Sequence, residues 1–214
     1  MSVIVKICGL SMPDTVEAAI AAGADLLGFV RCAQSPRHIS LDLARALGAQ
    51  VGGRVRKVLV TSDASDAELA AAIAALEPDL LQLHGEETAE RVGALKMRFG
   101  LPVIKAIGIG GAADLKRVAA YNAADWLLLD SRRGGSGTAF DWSLLGGLDL
   151  RKPWLLAGGL TPENVAAALA ATRAPGVDVS SGVESARGVK DVAKIAAFVG
   201  KARAARLGSA GESG

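Results

Sequence analysis

The chain has 214 residues, half of them hydrophobic, with 21% charged, 4% aromatic and a formal net charge of +2. That balance excludes a large basic surface for nucleic acid and leaves few rings to stack on bases. No stretch is apolar over the roughly 18 residues of a membrane span, and two cysteines, Cys8 and Cys32, in so long a chain point to a reducing, cytoplasmic setting without disulfide staples.

The first run, Val3-Ile4-Val5-Lys6-Ile7-Cys8, reads as a buried strand with no basic leader before it, and Gly9 follows at once. Ser11-Met12-Pro13-Asp14 then opens a helix over Pro13–Ala22, with proline and an acid in its first turn. Strands follow at Leu26–Val30 and Val55–Thr61, a helix over Asp66–Leu76 behind Ser65, and strands at Leu80–Leu83 and Val103–Ile107. A helix over Ala112–Tyr121 precedes strands at Trp126–Asp130 and Trp154–Ala157. The signal Thr161-Pro162-Glu163 starts a helix over Pro162–Ala171, and the last strand is Val177–Val179. The strands recur about every 25 residues, the length one strand–helix unit needs. Eight units predict a single α/β domain, a (β/α)8 TIM barrel over residues 1–207, with a frayed small-residue tail at 208–214. A doubly wound sheet is the competitor, but the first turn, Cys8-Gly9-Leu10-Ser11, lacks its Gly-rich fingerprint.

In a barrel of this kind the active site lies at the carboxyl ends of the strands. The seventh strand ends in Ala157-Gly158-Gly159-Leu160 and the eighth in Val179-Ser180-Ser181-Gly182. Glycines let backbone amides approach an anion, and a short helix starting near Ser181 would aim its positive end there. One Gly-Gly pair is often only a tight turn. Two such loops on adjacent strands point to a phosphorylated metabolite.

The sixth strand ends Leu128-Leu129-Asp130. A carboxylate closing an apolar run is poorly explained by packing and suits proton donation, although a loop-capping role competes. The glycine-rich stretch Arg132-Arg133-Gly134-Gly135-Ser136-Gly137-Thr138 after it reads as a flexible cover. Cys8 alone would be small hydrophobic filler. The barrel sets it roughly opposite Asp130, where a base and an acid on either side of a substrate suit an isomerisation. Lys6, on the same strand face as Cys8, is placed to poise a thiolate.

Arg37 is a candidate carboxylate clamp, because guanidinium pairs with planar anions bidentately. His84 follows the fourth strand and fits an orienting or supporting role. Asp178 could accept a sugar hydroxyl, and Lys105 is read as lining the barrel. Two histidines without an acidic cluster make no metal site.

Taken together, Lys6-Ile7-Cys8-Gly9-Leu10, Gly28-Phe29-Val30, Ser35-Pro36-Arg37, Gln82-Leu83-His84-Gly85, Gly134-Gly135-Ser136-Gly137 with Phe140-Asp141-Trp142, Ala157-Gly158-Gly159-Leu160 and Val177-Asp178-Val179-Ser180-Ser181-Gly182-Val183-Glu184 stand in an order that resembles the phosphoribosylanthranilate isomerase family of tryptophan biosynthesis. The likeness runs nearly the whole chain, to Gly188-Val189-Lys190-Asp191; Ser136, where the family more often has threonine, and the basic Arg132-Arg133 depart from it. The resemblance implies a cofactor-free Amadori rearrangement of N-(5-phosphoribosyl)anthranilate, with Asp130 as general acid and Cys8 as general base. It implies Arg37 on the anthranilate carboxylate, and Gly158, Gly159, Ser180, Ser181 and Gly182 around the phosphate. The partner is then a small molecule rather than nucleic acid or membrane, and the chain works as a monomer or a homodimer. The alternatives are a bifunctional sugar isomerase, which would carry an aspartate where Cys8 stands, and a thiamine-phosphate synthase, which needs an acidic magnesium set. A non-catalytic phosphate-binding module would lack Cys8 or Asp130.

Overall fold

The computed structural model describes residues 2–131, 142–145, 150 and 152–208. Eight parallel strands close on themselves in chain order. They are β1 (Ile4–Cys8), β2 (Leu26–Val30), β3 (Arg56–Thr61), β4 (Leu80–Leu83), β5 (Val103–Ile109), β6 (Trp126–Ser131), β7 (Trp154–Leu156) and β8 (Gly176–Val179). Closure comes from β1, which pairs Cys8 with Gly28 of β2 on one side and Lys6 with Asp178 of β8 on the other. The expected barrel is therefore the fold.

Helices α1 (Pro13–Ala21), α2 (Leu41–Val51), α3 (Asp66–Leu76), α4 (Ala89–Phe99), α5 (Ala112–Val118), α6 (Val165–Thr172) and α7 (Val192–Gly208) form the outer ring. Among the described residues the link from β6 to β7 holds a 3-10 turn, Trp142–Leu145. Between β8 and α7 come a second 3-10 turn, Ser181–Val183, and a small antiparallel hairpin of β9 (Glu184–Ala186) and β10 (Val189–Lys190). None of the described helices is long and apolar enough to cross a membrane.

Side chains alternate across each strand, so the barrel has two buried layers. Cys8, Leu26, Val30, Val58, Val60, Leu80, Ile104, Ala106, Leu128, Leu155 and Ala157 pack together inside it. Val5, Ile7, Leu27, Phe29, Leu81, Leu83, Ile107, Leu127, Leu129, Leu156 and Val177 face the helices. With both faces buried, each strand reads as one continuous apolar run.

Helix starts follow local chemistry, with two corrections. Ser65 caps α3 in a reciprocal box with Glu68, and Ser40 and Thr88 cap α2 and α4. At α1 the cap position is Met12 rather than Ser11, and no side chain caps it, although Pro13 takes the first helical position as expected. The signal Thr161-Pro162-Glu163 forms a turn instead of a helix start. Asn164 accepts from the Thr161 amide (2.8 Å) and donates to the Gly159 carbonyl (2.9 Å), so α6 begins only at Val165. Helix α5 ends at Val118, three residues short of Tyr121. Helix α7 runs one residue into the expected tail, and residues 209–214 lie outside the described residues.

Candidate active site

Cys8 ends β1 with its thiol buried. Beside it is Lys6, fully buried and paired to Asp178 Oδ1 at 2.7 Å. Both sit over Gly28 of β2: a Cβ there would come 3.0 Å from Cys8 Sγ and 3.1 Å from Lys6 Nζ. Glycine at this position leaves the space that thiol and ammonium share.

The electrostatics of the cluster differ from the sequence expectation for Lys6. Burial pushes the Cys8 thiol up; Lys6 and Lys190 draw it down and Asp178 adds to the rise, and the net result is a neutral thiol. Burial would lower the Lys6 ammonium, but its charge pairing and hydrogen bond with Asp178 foremost raise it, and the lysine stays charged. Lys6 therefore draws the thiol toward its ionised form without producing a resting thiolate, because burial, with Asp178 adding to it, outweighs that pull.

Asp130 is the penultimate residue of β6, three strand steps from β1 through β7 and β8 rather than diametrically across. Its side chain is 28% exposed, less enclosed than the end of an apolar run implied, and its Oδ2 lies 3.5 Å from His84 Nε2. The other imidazole nitrogen, Nδ1, is 3.0 Å from Gln82 Nε2. Gln82 and Asp130 thus flank the two ring nitrogens of His84. The cover stretch Arg132–Thr138, with Ser136, lies outside the described residues, as do Phe140 and Asp141.

Arg37, in the loop after β2, already holds a carboxylate of its own chain. Its Nε and Nη2 donate to Glu184 Oε1 and Oε2 at 2.6 and 2.9 Å. That engages one fork of the guanidinium and leaves the Nη1–Nη2 edge for a ligand. Glu184 also accepts from Lys190 Nζ (2.8 Å) and the Gly188 amide (3.0 Å). Burial pushes the Glu184 carboxyl up, but these donors, Arg37 foremost, hold it down at about 2. Lys190 reaches on to the Ser180 carbonyl at 2.9 Å, and the Ser180 hydroxyl donates to the Cys8 carbonyl at 3.1 Å. Gly9 completes the assembly: its φ is +80°, and a Cβ there would overlap Cδ of Arg37. Glu184 and Lys190 stand in the motifs of the resemblance but carried no expected site role, because they lie on a hairpin outside the eight-unit pattern. Their signal was the acid and lysine either side of Gly188.

The two glycine loops meet. A Cβ on Gly182 would overlap the Leu160 carbonyl oxygen, so the β7 and β8 loops pack backbone to backbone. Gly158 and Gly159 have φ of +88° and +66°, and nothing lies within 4 Å of where a Gly159 Cβ would point. Ser181 starts a 3-10 turn, as expected of a short helix there. Lys105 is a correction: it lies on the helix-facing side of β5 with Val103 and Ile107, not inside the barrel, and pairs with Glu87 at 2.8 Å.

A family model described as N-(5'phosphoribosyl)anthranilate (PRA) isomerase matches residues 5–201. The chain belongs to that family. It is 58% identical over 217 residues to the N-(5'-phosphoribosyl)anthranilate isomerase of Beijerinckia indica, covering 98% of each chain, and 57% identical over 212 residues to that of Rhodopseudomonas palustris strain HaA2, covering 95% of this chain and 97% of the other. Among solved structures, the phosphoribosyl anthranilate isomerase of Thermotoga maritima superposes with a TM-score of 0.87 at 35% identity, over 94% of this chain and 99% of that one. Another family structure, solved with reduced 1-(o-carboxyphenylamino)-1-deoxyribulose 5-phosphate, gives 0.82 at 34%, with the same coverage. Membership sets aside the sugar isomerase, the thiamine-phosphate synthase and the binding module.

Proposed function

We propose that this enzyme, a phosphoribosylanthranilate isomerase of tryptophan biosynthesis, converts N-(5'-phosphoribosyl)anthranilate to 1-(2-carboxyphenylamino)-1-deoxyribulose 5-phosphate with Asp130 as general acid and Cys8 as general base. The observation that carries the reading is a thiol and a carboxyl at the carboxyl ends of β1 and β6 of one closed barrel, beside two abutting glycine loops. Asp130 gives its proton to the furanose ring oxygen, and the C1–O bond breaks as the nitrogen lone pair forms the Schiff base. His84 then donates to the carboxylate left behind. Cys8 first gives its thiol proton to solvent, with the Lys6 ammonium beside it; the thiolate then takes the proton from C2, and the C2–H electrons flow to the iminium to give the enolamine. Protonation at C1 and loss of the enol proton yield the ketone. Atoms balance without an outside oxidant or reductant.

Lys6 stabilises the thiolate as it forms, and a buried thiol with a raised pKa is the stronger base once ionised. Asp178 holds Lys6 and lies close enough to the cluster to accept a substrate hydroxyl. The free edge of Arg37 takes the anthranilate carboxylate. Gly158, Gly159, Ser180, Ser181 and Gly182 hold the phosphate with backbone amides. A cytoplasmic setting is supported by two free cysteines.

The test is the fluorescence decay of freshly made phosphoribosylanthranilate with the purified protein. Cys8→Ser and Asp130→Asn are each expected to lower kcat about a hundredfold or more while KM stays near wild type. Full turnover in either variant removes the role assigned to that residue.

A further inference from the structure

The Lys105–Glu87 pair is almost fully buried on the far side of β5 from the site. Buried ion pairs seldom repay their desolvation in stability, and apolar residues often replace them without loss. This one is built into the loop that carries His84. Lys105 Nζ donates to the Gly85 carbonyl at 2.6 Å and the Leu83 carbonyl at 3.3 Å, so one ammonium holds the carbonyls on both sides of His84.

Its partner holds the same loop from the other end. Glu87 Oε1 accepts from the Asp63 amide (2.9 Å), and Asp63 Oδ1 accepts from the Glu86 amide (2.8 Å). Asp63 reaches that geometry with φ of +49°, and a Cβ on Gly85 would overlap its carboxyl. A strained residue persists where its surroundings fix it. The Tyr121 hydroxyl donates to the Glu87 carbonyl at 3.2 Å and closes the frame.

We propose that the Lys105–Glu87 pair positions His84 against Asp130, so that Nε2, 3.5 Å from Oδ2, already stands where it can close onto the acid's conjugate base. This rests on the role given to Asp130 above. The pair touches neither substrate nor reacting atoms. It acts by fixing the backbone at Leu83 and Gly85, and a catalytic contact displaced by about 1 Å can cost up to a hundredfold in rate.

The test replaces both partners, Lys105→Met with Glu87→Gln, so that no charge is buried alone. Expected is a fall in kcat of about tenfold with KM unchanged, within the cost of misplacing a catalytic group. The decisive comparison repeats the double change in His84→Ala, where kcat should fall no further than in His84→Ala alone. Wild-type kcat in the double variant, or losses that multiply with the His84→Ala loss, overturns the proposal. If the double variant does not fold, Glu87→Gln alone keeps the side-chain length and the Asp63 bond, with a smaller loss expected and the same comparison. Asp130→Asn runs in parallel. Its inactivity beside a fully active pair variant removes only the positioning role; its full activity removes the acid and the positioning role together.

Discussion

Glu184 receives four donors: Nε and Nη2 of Arg37, the Gly188 amide and Lys190 Nζ. Its carboxyl sits at about 2 in the folded chain, against about 4.3 when unfolded. A depressed folded pKa stabilises at pH above the unfolded value, and the contribution is lost as pH falls through the folded one. Glu184→Gln should therefore be less stable than wild type at neutral pH. The gap should narrow between about pH 4.3 and 2, as read from urea midpoints across that range. A constant gap would mean that the ionised carboxylate is not what the network holds. The same variant should raise KM, because Arg37 loses the partner that fixes its orientation. Residues of this kind were only half legible in the sequence. Lys6 beside Cys8 followed from strand parity, whereas Lys105 was assigned to the wrong face of β5. In a barrel strand both faces are apolar, so Val103-Ile104-Lys105-Ala106-Ile107 carries no alternation to say which way a lone lysine points.

At the scale of elements, the strands were legible almost to the residue. Short β-branched or leucine-rich runs bounded by turn residues leave little choice. Helix starts were less so, because a Thr-Pro-Glu signal describes a turn as well as a helix and only Asn164 decides between them. The join of two elements matters most at Gly182, whose missing side chain lets the β8 loop lie against the Leu160 carbonyl. Gly182→Ala must part the two loops. The expected outcome is a KM raised about tenfold, equivalent to about 1.4 kcal/mol, with kcat little changed. Inhibition by inorganic phosphate should weaken by the same factor. Unaltered phosphate inhibition would disconnect this junction from phosphate binding.

Over the whole molecule, the last helix secures the first strand. Arg203 of α7 donates to the Val3 and Gly23 carbonyls and pairs with Asp25 at 2.8 Å, and Asp25 in turn accepts from the Val5 amide at 2.7 Å. Arg203→Met should lower the unfolding free energy by about 1 to 3 kcal/mol, since hydrogen bonds to a charged group are lost and their acceptors left partly unmatched. It should leave kcat and KM alone, because these contacts lie at the amino-terminal ends of the strands. A kinetic defect with unchanged Tm would contradict that division between a stabilising end and a catalytic end.

The pairing of Ile4 with Gly176 and of Lys6 with Asp178 joins residues some of the farthest apart along the chain. Such contacts cannot form until most of the chain exists, because Lys6 and Asp178 stand 172 residues apart. A chain leaving the ribosome exposes Cys8 long before Asp178, Ser180 or Lys190 exists to stand beside it. Much of the apolar core can gather while the thiol still faces water as an ordinary cysteine. Enzymatic competence thus arrives with the final seam of the barrel, and a truncated chain retaining most of its core would still be catalytically silent.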